Sequence, residues 1–175
     1  MTHPIDIRVL TALSDGDVEG LCDVLIDCVE GGASVSFMWP MTYAKAEQFW
    51  RKAAASVARG ERVIVAAYDG EGAVIGTVSV LWAEPENQPH RADVAKMLMH
   101  RRARRQGVGA ALVKAAERVA LEAGKTLLVL DTVTGADAER LYARLGWQRC
   151  GVIPNYALWP DGRPCATTVF FKSLV

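Results

Sequence analysis

Residues 92–131 constrain the fold more than any other part of the chain. The segment ADVAKMLMH (92–100) is strand-like, RRARRQGVG (101–109) is rich in arginine and glycine, and helical spacing follows. In GVGAALVKAAERVALEAGK (107–125), Val108, Ala111, Leu112, Ala115 and Val119 fall on one helical face. Lys114, Glu117, Arg118 and Glu122 fall mainly elsewhere, and Gly124 supplies a C-terminal stop. TLLVLD (126–131) is a continuous apolar run, the pattern of a central strand covered on both faces. This order predicts a β-α-β unit over 93–131, with two parallel strands joined by a right-handed crossover.

The flanking sequence extends this unit into a mixed α/β sandwich. IDIRVL (5–10) alternates as a first strand, and SDGDVEGLCDVLIDCVEGG (14–32) reads as a helix, acidic at its start and stopped by glycine. Its buried face should carry Val18, Leu21, Cys22, Leu25 and Cys28/Val29. MTYAKAEQFWRKAAASVARG (41–60) is a second helix, opened by Thr42 and closed by Gly60. RVIVAAYD (62–69) and AVIGTVSVLWA (73–83) form a hairpin across a glycine-bearing turn. ADAERLYARLG (136–146) is a short helix, CATTVFFKSL (165–174) a last strand, and WQRCGVI (147–153) a candidate extra strand. The predicted order is β-α-α-β-β-β-α-β-α-β.

With 175 residues, 51% apolar and 23% charged, the simplest organisation is one domain over residues 1–175 with a real core. The 20 basic and 20 acidic residues cancel, so no global field draws the protein towards nucleic acid or anionic lipid. The apolar runs are strand-sized, far short of the roughly 20 residues of a membrane span. The N-terminal MTHPIDIRVLTAL lacks a signal-peptide pattern. Cys22, Cys28, Cys150 and Cys165 have no metal-ligand spacing and read as buried reduced thiols. A cytoplasmic protein without metal is expected.

Four arginines, Arg101, Arg102, Arg104 and Arg105, crowd the approach to the helix that begins near Gly107. The first turn of a helix leaves backbone N–H groups unpartnered, and no Ser, Thr, Asp or Asn lies between Arg101 and Leu112 to cap them. The helix dipole makes this end positive, so the arginines should repel it. A bound phosphate would repair both faults by accepting N–H bonds and attracting guanidinium groups. Gly107 and Gly109 would remove side chains where backbone and anion approach. A phosphate-binding loop of the GxxxxGK[ST] kind is not present. A dinucleotide fingerprint fails because Leu112 occupies its third glycine position and no acidic residue follows at the required distance.

Arg104-Arg105-Gln106-Gly107-Val108-Gly109, between strand and helix, resembles the R-x-x-G-x-G acyl-CoA pyrophosphate loop of GNAT N-acetyltransferases. AERLYARLGW (138–147) is similar to that superfamily's A-x-x-LY-x-x-x-GF stretch, with Trp147 in place of Phe. The resemblance implies an α/β GNAT (acyl-CoA N-acyltransferase) fold: a mixed, mostly antiparallel central sheet flanked by helices, with a parallel β-α-β cofactor unit. RADVAKMLMHRRARRQGVG (91–109) and GVIPNYALWPDGRPCATTVFFKSL (151–174) further resemble the tabtoxin-resistance branch, which acetylates the amino group of a small β-lactam amino-acid toxin.

The resemblance also implies roles. Met97, Leu98 and Met99 would offer backbone groups to the pantetheine arm of acetyl-CoA. Backbone N–H groups of Arg104, Arg105, Gln106, Gly107, Val108, Gly109 and Ala110 would surround the pyrophosphate. Tyr142 would protonate the leaving thiolate, since a phenol with pKa near about 10 keeps its proton at neutral pH. Asp131, ending TLLVLD, and Asp93, opening the preceding strand, are the candidate bases for an ammonium that must lose a proton before it attacks. The branch has acidic residues in both places. The Asn found in many members three residues before the motif's alanine is Gly135 here, with Thr134 as a neighbouring substitute.

Phe37, Trp39, Tyr43, Tyr156 and Trp159 are equally consistent with core or pocket. His90 and His100 lack partners at metal spacing. The expected enzyme is a monomer or homodimer that acetylates a small-molecule amine, amino-acid-like, toxin-like or antibiotic-like, with acetyl-CoA as co-substrate. It is expected to bind neither nucleic acid nor membrane. The alternatives are a protein or peptide amine as acceptor, or a nucleic-acid-binding domain that uses the arginine run.

Overall fold

Strand alternation, helix caps and glycine stops produce the predicted succession in the computed structural model, which describes residues 5–175. Residues 1–4, the start of the segment read for leader character, lie outside the described residues. The strands are β1 (Asp6–Leu10), β2 (Arg62–Tyr68), β3 (Val74–Trp82), β4 (Arg91–Met99), β5 (Leu127–Val133), β6 (Gln148–Leu158) and β7 (Pro164–Ser173). The helices are α1 (Asp15–Glu30), α2 (Tyr43–Ala58), α3 (Val108–Glu122) and α4 (Asp137–Arg144), with a 3-10 turn over Arg101–Ala103.

The strands form one sheet in the order β1-β2-β3-β4-β5-β7-β6. Every neighbouring pair is antiparallel except β4–β5, whose parallel pairing requires α3 as the crossover. This is the mixed sheet with a β-α-β unit expected from residues 93–131.

Two apolar layers cover the sheet. On one side α3 buries Val108, Leu112, Val113, Ala115, Ala116, Val119 and Ala120 against Val65, Val78, Val80, Val94, Leu128 and Leu130. Ala111, assigned to this face from its spacing, is only half-buried. On the other side α1 and α2 bury Leu21, Cys22, Leu25, Val29 and Trp50 against Ile64, Ala66 and Leu98. All the α1 positions predicted to face the core do so. Ser14 caps α1 reciprocally with Asp17, and Thr42 caps α2.

β5 departs from expectation. Leu128 and Leu130 are buried beneath α3, whereas Leu127 and Val129 are half-buried. The reason is that α1 and α2 pack over β2, β3 and β4 and leave the opposite face of β5 partly uncovered.

The candidate strand at 147–153 is real and longer than predicted. β6 continues through Pro154 to Leu158, with a register break between Ile153 and Ala157 where Asn155 takes φ 55°. β6 is an edge strand, where a proline removes no needed ladder bond. Cys150 lies on this edge and is exposed, unlike the buried Cys22, Cys28 and Cys165.

Candidate active site

β4 and β5 pair only at Arg91–Leu127, Ala92–Leu128 and Asp93–Val129, and then separate. The cause lies in β4. Thr77 pairs with Leu98 and Ser79 with Ala95, so Val78 stands opposite both Lys96 and Met97. This is a β-bulge of one extra residue, which bends the strand. Lys96 takes φ 52°, a left-handed conformation uncommon for a residue with a side chain. The extra residue also reverses the facing: Ala92 and Val94 pack on the α3 side, but Leu98 packs on the α1/α2 side.

The separated strands open a cleft of about 1200 Å³. That exceeds the usual range of about 300–1,000 Å³ for a single small-ligand site, leaving room for a long cofactor and a second reactant. A smaller depression of about 700 Å³ beside α1 contains none of the candidate site residues.

The amino end of α3 faces the large cleft. Gly107 is its N-cap, with φ 81° and no side-chain cap bond. The first intrahelical bond runs from Ala111 N–H to Gly107 C=O at 3.1 Å, leaving the N–H groups of Val108, Gly109 and Ala110 ahead of the ladder. Arg105 also takes a left-handed φ of 61°, so the chain turns twice within the loop. The two glycines serve different needs. Gly107 supplies the left-handed cap, with open space around an added Cβ, whereas a Cβ on Gly109 would lie 3.1 Å from both Leu141 Cδ2 and Met99 Cε. Close packing between α3, β4 and α4 therefore explains Gly109, in place of the direct approach to an anion expected from sequence.

The fold divides the four arginines into two pairs. Arg101 donates its backbone N–H (2.8 Å) and Nε (2.7 Å) to Asp27 on α1. Arg102 reaches Asp69 at 3.4 Å and the Val74 carbonyl. Arg104 and Arg105 line the cleft beside Gly107, Val108, Gly109 and Ala110. Gln106 is not a cleft-lining residue: its Nε2 donates to the Arg102 carbonyl at 2.8 Å. An anion at this end of α3 would meet the loop N–H groups and two guanidinium groups. The uncapped N-terminus and the parted strand edge thus fit the diphosphate and amide groups of a coenzyme A thioester.

Tyr142 and Asp131 both line this cleft. Tyr142 is 4% exposed, between Trp147 (ring centroids 5.6 Å apart) and Phe170 (6.1 Å). Its hydroxyl has no hydrogen-bond partner among the described residues. Burial first, and the negative charge of Asp131 second, raise its pKa well above the ordinary tyrosine value. It therefore holds its proton throughout the physiological range. Asp131 sits where β5 leaves β4, and its Oδ2 lies 2.7 Å from Thr167 Oγ1 on β7. Met97, Leu98 and Met99 line the same opening.

Asp93 is not brought to the cleft. Its register partner Val129 lies two residues before Asp131, so all three side chains share a sheet face. Asp93 Oδ1, however, is held 2.6 Å from Arg91 Nη1, and the residue is absent from the cleft wall. Gly135 takes φ 83° in the turn before α4, and Thr134 Oγ1 lies 2.9 Å from Thr168 Oγ1, away from the cleft. Neither residue is part of the cleft wall.

Lys96 was missed in the sequence, where it looks like any exposed strand residue. It lines the cleft, and its Nζ donates to Ser36 Oγ at 2.9 Å and lies 5.8 Å from the Phe49 ring centroid. Phe37, Tyr156 and Trp159 also reach the cleft wall. Trp39 donates its Nε1 to the Val29 carbonyl at 2.9 Å and has a structural role. No group of three or more His, Cys, Asp or Glu among the described residues is placed to hold a metal. No helix among them is long and apolar enough to cross a membrane.

Parallel strands parted by a bulge, with an uncapped helix end in the opening, define an acyl-CoA-dependent transferase architecture. Residues 21–147 match the model of the Acetyltransferase (GNAT) family, and the chain belongs to that family, whose members use acetyl-CoA. Solved structures share the fold at low identity. A protein provisionally assigned as a phosphinothricin N-acetyltransferase matches with TM-score 0.80 and 18% identity, covering 98% of this chain and 99% of that one. A provisionally assigned acetyltransferase from Salmonella typhimurium, solved with its cofactor acetyl-CoA, matches with TM-score 0.79 and 17% identity over 98% and 95%. A ribosomal-protein-alanine N-acetyltransferase from Brucella melitensis matches with TM-score 0.78 and 21% identity over 96% and 99%.

Proposed function

We propose that the protein moves the acetyl group of acetyl-CoA directly to a primary amine of a small, amino-acid-like molecule. One observation carries this reading: the parting of β4 and β5 brings an uncapped helix end, a proton-holding Tyr142 and the Asp131 carboxylate to one cleft. The N–H groups from Arg105 to Ala110, with the Arg104 and Arg105 side chains, hold the diphosphate; the Arg104 N–H, expected from sequence to join them, donates instead to the Arg101 carbonyl at 3.3 Å. The β4 backbone at Met97, Leu98 and Met99 holds the pantetheine arm.

Acetyl-CoA supplies the acetyl group as an activated thioester. An alkyl ammonium with a pKa near about 10.4 is almost wholly protonated at neutral pH and cannot attack until it loses a proton. Asp131 attracts the ammonium and accepts that proton, directly or through one water. As the C–S bond breaks, Tyr142 donates its proton to the departing sulfur, and the second proton shed by the nitrogen as the amide forms restores the phenol, directly or through water. Asp93, neutralised by its ion pair with Arg91, takes no part in the proton transfer.

The likeness of residues 91–109 and 151–174 to the tabtoxin-resistance branch supports a toxin-like amino acid as acceptor and a role in cytoplasmic toxin resistance. The fold shared with the phosphinothricin N-acetyltransferase-like protein supports the same class. A screen of amino acids and antibiotic-like amines, with free CoA as readout, tests the assignment. Release of CoA by a small amine is expected; release with protein or peptide acceptors alone overturns it.

A further inference from the structure

Lys96 occupies its place against local preference. Its left-handed φ of 52° is strained for a residue with a Cβ, and its hydrogen-bond partner Ser36 is also left-handed at φ 79°. Two strained, non-glycine residues thus meet at one contact, 2.9 Å from Nζ to Oγ, on the wall of the reaction cleft. No carboxylate among the described residues lies within ion-pair distance of Lys96 Nζ. Burial lowers its pKa, the Asp131 charge opposes that effect, and Arg62 adds to it. An ammonium in a half-closed cleft with no carboxylate in ion-pair contact is incompletely compensated. The other cleft cations have different stations: Arg104 and Arg105 flank the amino end of α3, and Arg140 and Arg144 belong to α4.

We propose that Lys96, aimed by the β4 bulge and steadied by Ser36, binds an anionic group of the acceptor, so that the substrate is an amine-bearing acid held between Asp131 and Lys96. The ammonium goes to Asp131 and the carboxylate, or an equivalent oxyanion, to Lys96. Unpaired charges of opposite sign on one cleft match a zwitterion better than a simple alkylamine. Lys96 is then a specificity-determining residue, and this assignment rests on the small-molecule reading of the same site.

The test compares free amino acids with their matched primary amides as acceptors for the wild-type protein, Lys96→Gln and Lys96→Arg. Wild type should favour acids over amides in kcat/KM by at least about tenfold. Lys96→Gln should lose that preference through a KM raised by a much larger factor for the acids than for the amides, and Lys96→Arg should restore part of it. An acid preference kept in Lys96→Gln, or missing in wild type, overturns the proposal. If no member of the panel is acetylated, the small-molecule assignment fails and a direct binding measurement decides the role of Lys96. In CoA-saturated protein carrying labelled lysines, the Lys96 side-chain NMR signal, assigned by its loss in Lys96→Gln, should shift with the acids and not with the amides. No shift with any acid overturns the proposal irrespective of turnover.

Discussion

Asp27 on α1 accepts both the backbone N–H and the Nε of Arg101, at 2.8 and 2.7 Å, and so fixes the first residue of the loop that leads to α3. The carboxylate is nearly buried, and burial alone would raise its pKa; the two Arg101 bonds and nearby His100 outweigh burial and lower it. Asp27→Ala should destabilise the fold by about 1–3 kcal/mol, the range for losing hydrogen bonds to a buried charged group. The sign with pH is definite. The folded pKa lies below the unfolded value of about 3.9, so the stabilisation is complete above that value and is lost as pH falls through the folded one. Urea midpoints for wild type and variant should differ by a constant amount near neutrality and converge in acid. A gap that persists in acid would assign the effect to packing.

Gly109 tests how closely α3 must pack on β4 and α4 beside the cleft. An added methyl would lie 3.1 Å from the flexible ends of Met99 and Leu141, which can yield, so Gly109→Ala should reduce acetyl-CoA affinity only modestly. Gly109→Glu forces a charged side chain into the contact with Met99 and Leu141 at the cleft wall, and by bulk and buried charge should abolish binding. Calorimetry with acetyl-CoA, on protein checked for native circular dichroism, distinguishes the two variants. Unchanged affinity in Gly109→Glu would place the cofactor elsewhere.

Gly107 responds for another reason. Its φ of 81° is strained for any residue with a Cβ, by about 1–2 kcal/mol, although space around it is open. Gly107→Ala should lower thermal stability while retaining measurable acetyl-CoA affinity, and a variant as stable as wild type would show that the cap relaxes to another conformation.

What the sequence made visible were conflicts that local chemistry can state. An arginine run at the positive end of an uncapped helix is contradictory within twelve residues, whereas the left-handed conformation of Gly107 is seen only in the structure. Facts that depend on distant partners were hidden. Arg101 and Arg102 are withdrawn from the cleft by Asp27 and Asp69, which lie 74 and 33 residues away in sequence. The bulge at Lys96 exists because Val78 faces two residues of β4, a register that the alternation of VAKML does not encode. The strand-like WQRCGVI is followed by Pro154 and Asn155, both disfavoured in central strands, and β6 runs on through them because it is an edge strand. Trp147 in place of the family's Phe has a reason found only in three dimensions. Its Nε1 donates to Glu117 on α3 at 2.9 Å, and Glu117 is also paired with Lys172 on β7.

Tyr142→Phe removes a hydroxyl that bonds no described protein group, so no partner is orphaned and stability should change little. A hydroxyl whose pKa is raised carries its proton at any physiological pH, so the acid enters every turnover in its protonated form. The kcat should fall by about 10²-fold, within the range for general acid catalysis, with acetyl-CoA affinity nearly unchanged. Wild-type turnover in this variant would remove the acid role and leave Tyr142 as packing between Trp147 and Phe170.

Asp131→Asn keeps an acceptor for Thr167 Oγ1 and removes only the charge and the proton affinity. Without the Asp131 carboxylate, the amine must arrive already deprotonated by solvent. The rate of the variant should then follow the neutral fraction of free amine, rising about tenfold per pH unit below the ammonium pKa. Wild type should rise less steeply, because its own carboxylate accepts the proton after binding. At neutral pH the variant should be slower by about 10²-fold or more, and the gap should narrow as alkali does the work of the base. Parallel pH–rate profiles for the two proteins would deny Asp131 any part in moving the proton and transfer that role to a water outside its reach.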